Sequence, residues 1–133
     1  MSENLDLVRS IYADWERGDF SSTEWADPAI EFVVADGPSP GRWTGLAGLR
    51  DGWRDFLNAW EEYRTSVDEY RELGGERVLG LAHFSARGKA SSMEIDERLT
   101  RAAILFHLHG GKVSRLVVYL DRDRAFADLG LTE

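Results

Sequence analysis

The segment from Leu99 to Gly130 constrains the fold more than any other part of the chain. Ala102, Ile104, Phe106 and Leu108 alternate with Arg101, Ala103, Leu105 and His107, and Gly110-Gly111 then turns the chain into Val113 to Leu120. A period of two over that length predicts two long antiparallel strands, followed by a short closing helix. With a three-residue turn holding a left-handed glycine, Leu108 stands opposite Lys112. Phe106, Ile104, Ala102 and Thr100 then stack on Ser114, Leu116, Val118 and Leu120. One face is nearly all apolar, and the other carries Arg101, His107, Arg115 and Tyr119. A two-residue turn would slip the pairing by one and mix the faces. An apolar sheet face of this length needs a cover, which the first half of the chain must supply.

Leu5, Val8, Ile11, Tyr12 and Trp15 recur at helical spacing, which predicts an amphipathic helix over 3–17 stopped by Gly18. Ser21-Ser22-Thr23-Glu24 has capping-box spacing and predicts a short second helix ending near Asp27-Pro28. Ile30 to Val34 reads as a short strand and residues 36–41 as a loop. Leu49, Trp53, Phe56, Leu57 and Trp60 mark a third helix over 46–63, with Gly48 and Gly52 inside it. Each glycine costs about 1 kcal/mol against alanine, so close packing or a bend is expected there. After Arg64 the period becomes two, giving strands over 65–73, 78–87 and from Ile95 onward. The layout is α+β, a curved and mostly antiparallel sheet with the helices on one face.

At 133 residues the chain is the size of one ordinary domain, and residues 1–133 are read as a single unit. A formal charge of -8 leaves little attraction for phosphate backbones or anionic lipid, so neither nucleic acid nor membrane is an expected partner. The chain has no cysteine, which excludes thiolate chemistry. The N-terminal residues lack a basic flank and an apolar run, and a cytoplasmic protein is the default expectation.

Several motifs together resemble the SnoaL-like branch of the nuclear transport factor 2-like superfamily, the cystatin-like α+β cone. They are Trp43-Thr44-Gly45-Leu46 opening the third helix, Trp60-Glu61-Glu62-Tyr63-Arg64 closing it, and Glu69-Tyr70 on the next strand. Arg87-Gly88-Lys89-Ala90-Ser91, Gly111-Lys112-Val113, Tyr119-Leu120-Asp121-Arg122 and Leu129-Gly130 follow in order. The resemblance implies a sheet curled round the helices, an apolar cavity, and a homodimer packed through the outer sheet face. Leu105, Val117 and Tyr119 would meet the second copy there. It also implies an acid on the inner face of the final strand in the cyclases and epoxide hydrolases, and Val118 occupies that position. Such domains include isomerases, cyclases, hydrolases and proteins without chemistry, so fold does not fix function.

All five tryptophans, Trp15, Trp25, Trp43, Trp53 and Trp60, lie in the first half of the chain. With Phe56, Phe84, Phe106 and Val118 they are expected to line a pocket for a hydrophobic small molecule, while Arg98 could reach an anionic group or form a salt bridge. Trp25 and Trp43, near loops, are candidates for its mouth. Glu31 and His83 are the candidate acid and base. Asp121 reads as a helix N-cap. His107 and His109 share a strand face but lack further ligands at fixed spacing, so no metal is expected. No phosphate loop, Ser-His-Asp order or dinucleotide fingerprint is evident, and cofactor-free action remains. The alternative is a ligand-binding or dimerisation module whose cavity is filled.

Overall fold

The computed structural model describes residues 3–36, 40–58, 60–88, 94–95 and 101–131, with side chains except at 60–63, 86–88 and 94–95. Helix α1 (Glu3–Glu16) buries Val8, Ile11, Tyr12 and Trp15, one stripe at three- and four-residue spacing. It stops at Gly18, whose φ of 84° suits a residue without a Cβ. The helix expected after it does not form. Asp19 instead accepts hydrogen bonds from the Ser21 amide at 3.0 Å and the Ser21 hydroxyl at 2.6 Å. That local turn competes with the helical ladder. The chain passes directly into β1 (Ala26–Val34), which is longer than the strand read from its sequence.

A short strand β2 (Gly41–Thr44) precedes helix α2 (Gly45–Asn58). The helix expected to reach residue 63 therefore ends at Asn58. Trp60 to Leu73 is one strand, β3, because Trp60 and Glu61 join the ladder of β4 (Arg77–Gly88) opposite Gly88 and Arg87. Trp60-Glu61-Glu62-Tyr63-Arg64 thus opens a strand rather than closing a helix. Strands β5 (Glu94–Ile95), β6 (Arg101–His109) and β7 (Lys112–Tyr119) and helix α3 (Arg122–Leu129) complete the order. Six strands lie in the sequence β2-β1-β7-β6-β4-β3, with β5 paired to β4. All pairings are antiparallel except that of β1 with β7.

The β6/β7 hairpin corrects the turn while preserving its faces. His109 pairs with Lys112 and Leu108 with Val113, so the turn has two residues, and Gly110 and Gly111 both take positive φ, 58° and 78°. A register shift just after this pair places His107 opposite Arg115 and Phe106 opposite Leu116. The extra residue, Ser114, restores the parity that the shorter turn would have lost. Ile104 therefore faces Val118 rather than Leu116, yet both remain on the inner face with Ala102 and Phe106.

Two cores result. On the inner face, α1 and α2 cover Ile104, Phe106, Leu116 and Val118, each at most 3% exposed. On the outer face, α3 buries Phe126 and Ala125 against Leu79, Leu81, Ala103, Leu105, Val117 and Tyr119. The helices thus occupy both faces, not one. Leu105, Val117 and Tyr119 are already covered in the single chain. Asp121 caps α3 as its sequence suggested, accepting from the Asp123 amide at 3.0 Å, and Gly130 closes the helix at φ 69°. No described helix is long and apolar enough to cross a membrane.

Candidate functional site

Trp15 is the hub of the inner core. Its ring centroid lies 5.0 Å from Trp53, 5.2 Å from Tyr12, 5.8 Å from Phe106, 6.0 Å from Trp25 and 6.1 Å from Phe20. These are edge-to-face and stacked separations at which aromatic pairs attract beyond their buried area. Trp53 extends the cluster to Phe32 at 4.9 Å and Phe56 at 5.7 Å. Its indole Nε1 is buried without an acceptor among the described residues. Phe84 and Val118 belong to the same core, and Trp43 packs on it through Phe32 at 5.6 Å. Val118, where the sequence resemblance implies an acid, is buried in this core.

The hub is also the floor of an opening. A cleft of about 490 Å³ lies between the end of α1 and the start of β3, lined by Trp15, Glu16, Arg17, Gly18, Arg64, Thr65 and Ser66. The buried Tyr12 and Thr65 hydroxyls are hydrogen-bonded beneath it. Glu16 Oε2 accepts the Val67 amide at 3.2 Å, closing part of the bare edge of β3. Nearby, burial pushes the Tyr70 phenol up to about 12, the Glu16 charge adds to the rise, and Arg9 opposes it. A second cleft of about 380 Å³ runs beside Trp25, between α1 and the β6/β7 turn.

The family follows from comparison with known proteins. The SnoaL-like domain family matches residues 8–116, well over half of the chain. The chain is a SnoaL-like domain. Solved structures agree on the fold. An NTF2-like protein of unknown function from Burkholderia pseudomallei aligns with a TM-score of 0.77 at 20% identity, over 96% of this chain and 97% of that one. TerC, co-crystallised with polyporic acid, aligns with a TM-score of 0.74 at 20% identity, over 96% and 98%. A Jannaschia protein named as a SnoaL-like polyketide cyclase gives 0.73 at 12% identity, over 98% and 94%. No curated protein matches the chain.

In this SnoaL-like domain the two candidate titratable residues stand away from the aromatic interior. Glu31 alternates with the buried Ile30 and Phe32 and so faces outward. It pairs with Arg115 at 2.8 Å and Arg42 at 3.5 Å. Arg115 lies opposite His107, and His107 opposite Arg77, making one polar row across the outer face. Burial pushes the His107 imidazole below its usual range, and the Arg115 and Arg77 charges add to that.

His83 shares its face with Leu79 and Leu81, and its Nδ1 lies 2.7 Å from Asp68 Oδ1. Ser66 Oγ is 3.4 Å from its Nε2. Arg122, only 8% exposed, donates to the carbonyls of Ala102 and Ala82 and reaches Asp68 Oδ2 at 3.2 Å. Ser66, Asp68 and Arg122 are not singled out by their sequence spacing. Only the pairing of Ser66 with His83, the register shift between Val67 and Glu69, and the placement of α3 bring them together. The Trp60 side chain and Arg98 lie outside the described residues.

Proposed function

We propose that this SnoaL-like domain binds a hydrophobic, ring-bearing small molecule in the cleft between α1 and β3. The observation that carries this reading is the double role of Trp15, which floors the cleft and is the hub of the aromatic core. A volume of about 490 Å³ falls in the range of small-molecule sites. Trp15 is the one aromatic residue of the lining, and Arg17 and Arg64 at the walls offer donors to oxygen substituents. TerC, a neighbour in fold, is co-crystallised with polyporic acid.

The inner core favours binding over acid/base chemistry within it, since its described buried residues include no carboxylate or imidazole. The test is a thermal-shift screen with steroid, terpenoid and polyketide fragments, followed by tryptophan-fluorescence titration of each hit. Trp15→Ala is expected to weaken binding by about tenfold, the equivalent of about 1.4 kcal/mol. An unchanged Kd in Trp15→Ala, or no stabilising fragment at all, would contradict the reading.

A further inference from the structure

Two hydroxyl groups meet in the inner core beneath the cleft. Among the described residues, Thr65 and Arg122 are the buried side chains that are neither aliphatic nor aromatic. Arg122 is accounted for by the Ala82 and Ala102 carbonyls and by Asp68. Thr65 has the hydroxyl of Tyr12, a residue with no exposed surface. It stands opposite Phe84 in the β3/β4 register and so shares the inner face, whereas the next residue, Ser66, points to His83 on the other side. Thr65 also belongs to the lining of the cleft.

A valine would fill the same volume with no polar group to desolvate, so a hydroxyl buried at this position calls for partners. A phenol is the more acidic of the two hydroxyls and the better donor, so Tyr12 gives its proton to Thr65 Oγ1. The Thr65 proton then has no acceptor among the described residues and turns to the cleft. Other polar groups of the lining are engaged or exposed. Glu16 accepts the Val67 amide, Arg17 pairs with Asp14, and Arg64 is in water. We propose that Thr65 is the specificity-determining donor of the cleft, selecting a ring compound whose ketone or quinone oxygen points inward to its hydroxyl. This assignment rests on the cleft being the ligand site.

Selection follows from what the hydroxyl pair offers each class of ligand. A carbonyl oxygen only accepts, which matches a site whose free group is a proton. A methylene in its place leaves that proton covered by ligand and unpaired, a loss that apolar contact does not offset. An alcohol accepts as well, but brings a proton of its own that has to be placed. Donation from Tyr12 polarises the Thr65 hydroxyl and makes its proton the stronger donor. Tyr12 is therefore a positioning residue, since it acts on the ligand through Thr65. Arg17 and Arg64, at the exposed walls, compete with water for the same oxygen atoms and discriminate less.

The test titrates the full chain with 1-tetralone, 1-tetralol and tetralin, three compounds of one ring skeleton. Tetralone is expected to bind about tenfold more tightly than tetralin, with tetralol between them. Its bound C=O stretch, read by infrared difference spectroscopy, is expected at lower wavenumber than in a hydrocarbon solvent. Thr65→Val brings tetralone and tetralin to the same Kd and returns the band to its hydrocarbon position, whereas Thr65→Ser keeps both effects. Tyr12→Phe leaves the band shifted by less than in the natural chain. Equal Kd values for tetralone and tetralin in the natural chain, an unshifted carbonyl band, or no binding of tetralone overturns the proposal. If Trp15→Ala still weakens a screened ring compound in those cases, the cleft stands as a binding site without this selection. A tetralone preference that depends on Thr65 but not on Trp15 supports the donor and removes Trp15 from the binding reading.

Discussion

Gly52 sits in α2 where an added Cβ would lie 2.4 Å from the Phe32 ring and 2.9 Å from Trp43. Both rings belong to packed clusters, so neither can withdraw without opening a gap. Gly52→Ala is therefore expected to lower stability by about 1–3 kcal/mol in urea unfolding, although alanine is the better helix former. His107 gives a pH prediction. Its native pKa lies below the usual 6.5, so the unfolded chain takes up the proton first as pH falls. Stability is thus unaffected by this group above 6.5 and is lost as pH falls from 6.5 toward the depressed native value. Urea midpoints measured through that window should fall less steeply in His107→Gln than in the natural chain. An identical slope would mean that the imidazole is not held neutral by its surroundings.

At the scale of elements, α3 is fastened to the outer face by one buried side chain. Arg122 ties the first turn of the helix to the Ala82 and Ala102 carbonyls and to Asp68. Arg122→Leu should cost about 3 kcal/mol and speed amide exchange in α3 before the sheet, because it leaves two carbonyls and a carboxylate without their cation. The inner face was legible from alternation alone, since Ile104, Phe106, Leu116 and Val118 carry the same periodicity whatever the turn. The hairpin register was not, because the shorter turn and the Ser114 bulge shift the pairing in ways that cancel in facing but not in partner. Helix α2 was overrun in the sequence reading because Trp60 and Tyr63 also fit helical spacing. The ladder to Gly88 and Arg87 decides their state, and such long-range pairing leaves no local signal. The same holds for Ser66 and Asp68, whose meeting with His83 depends on register and a bulge.

The whole molecule is a curled sheet with a different cover on each side. Helices α1 and α2 bring the rings of Trp15 and Trp53 to the inner face, whereas α3 covers the outer one. A net charge of -8 and the cleft beside Trp15 together suit an uncharged apolar ligand better than a polyanion. The most direct test is a ¹⁵N–¹H spectrum of the indole N–H groups, recorded while a stabilising ring compound is added. Binding at the aromatic interior predicts that the Trp15 and Trp53 signals move together and saturate with the fluorescence Kd. Shifts confined to the backbone of Leu79, Leu105 and Val117, with both indoles unmoved, would contradict it.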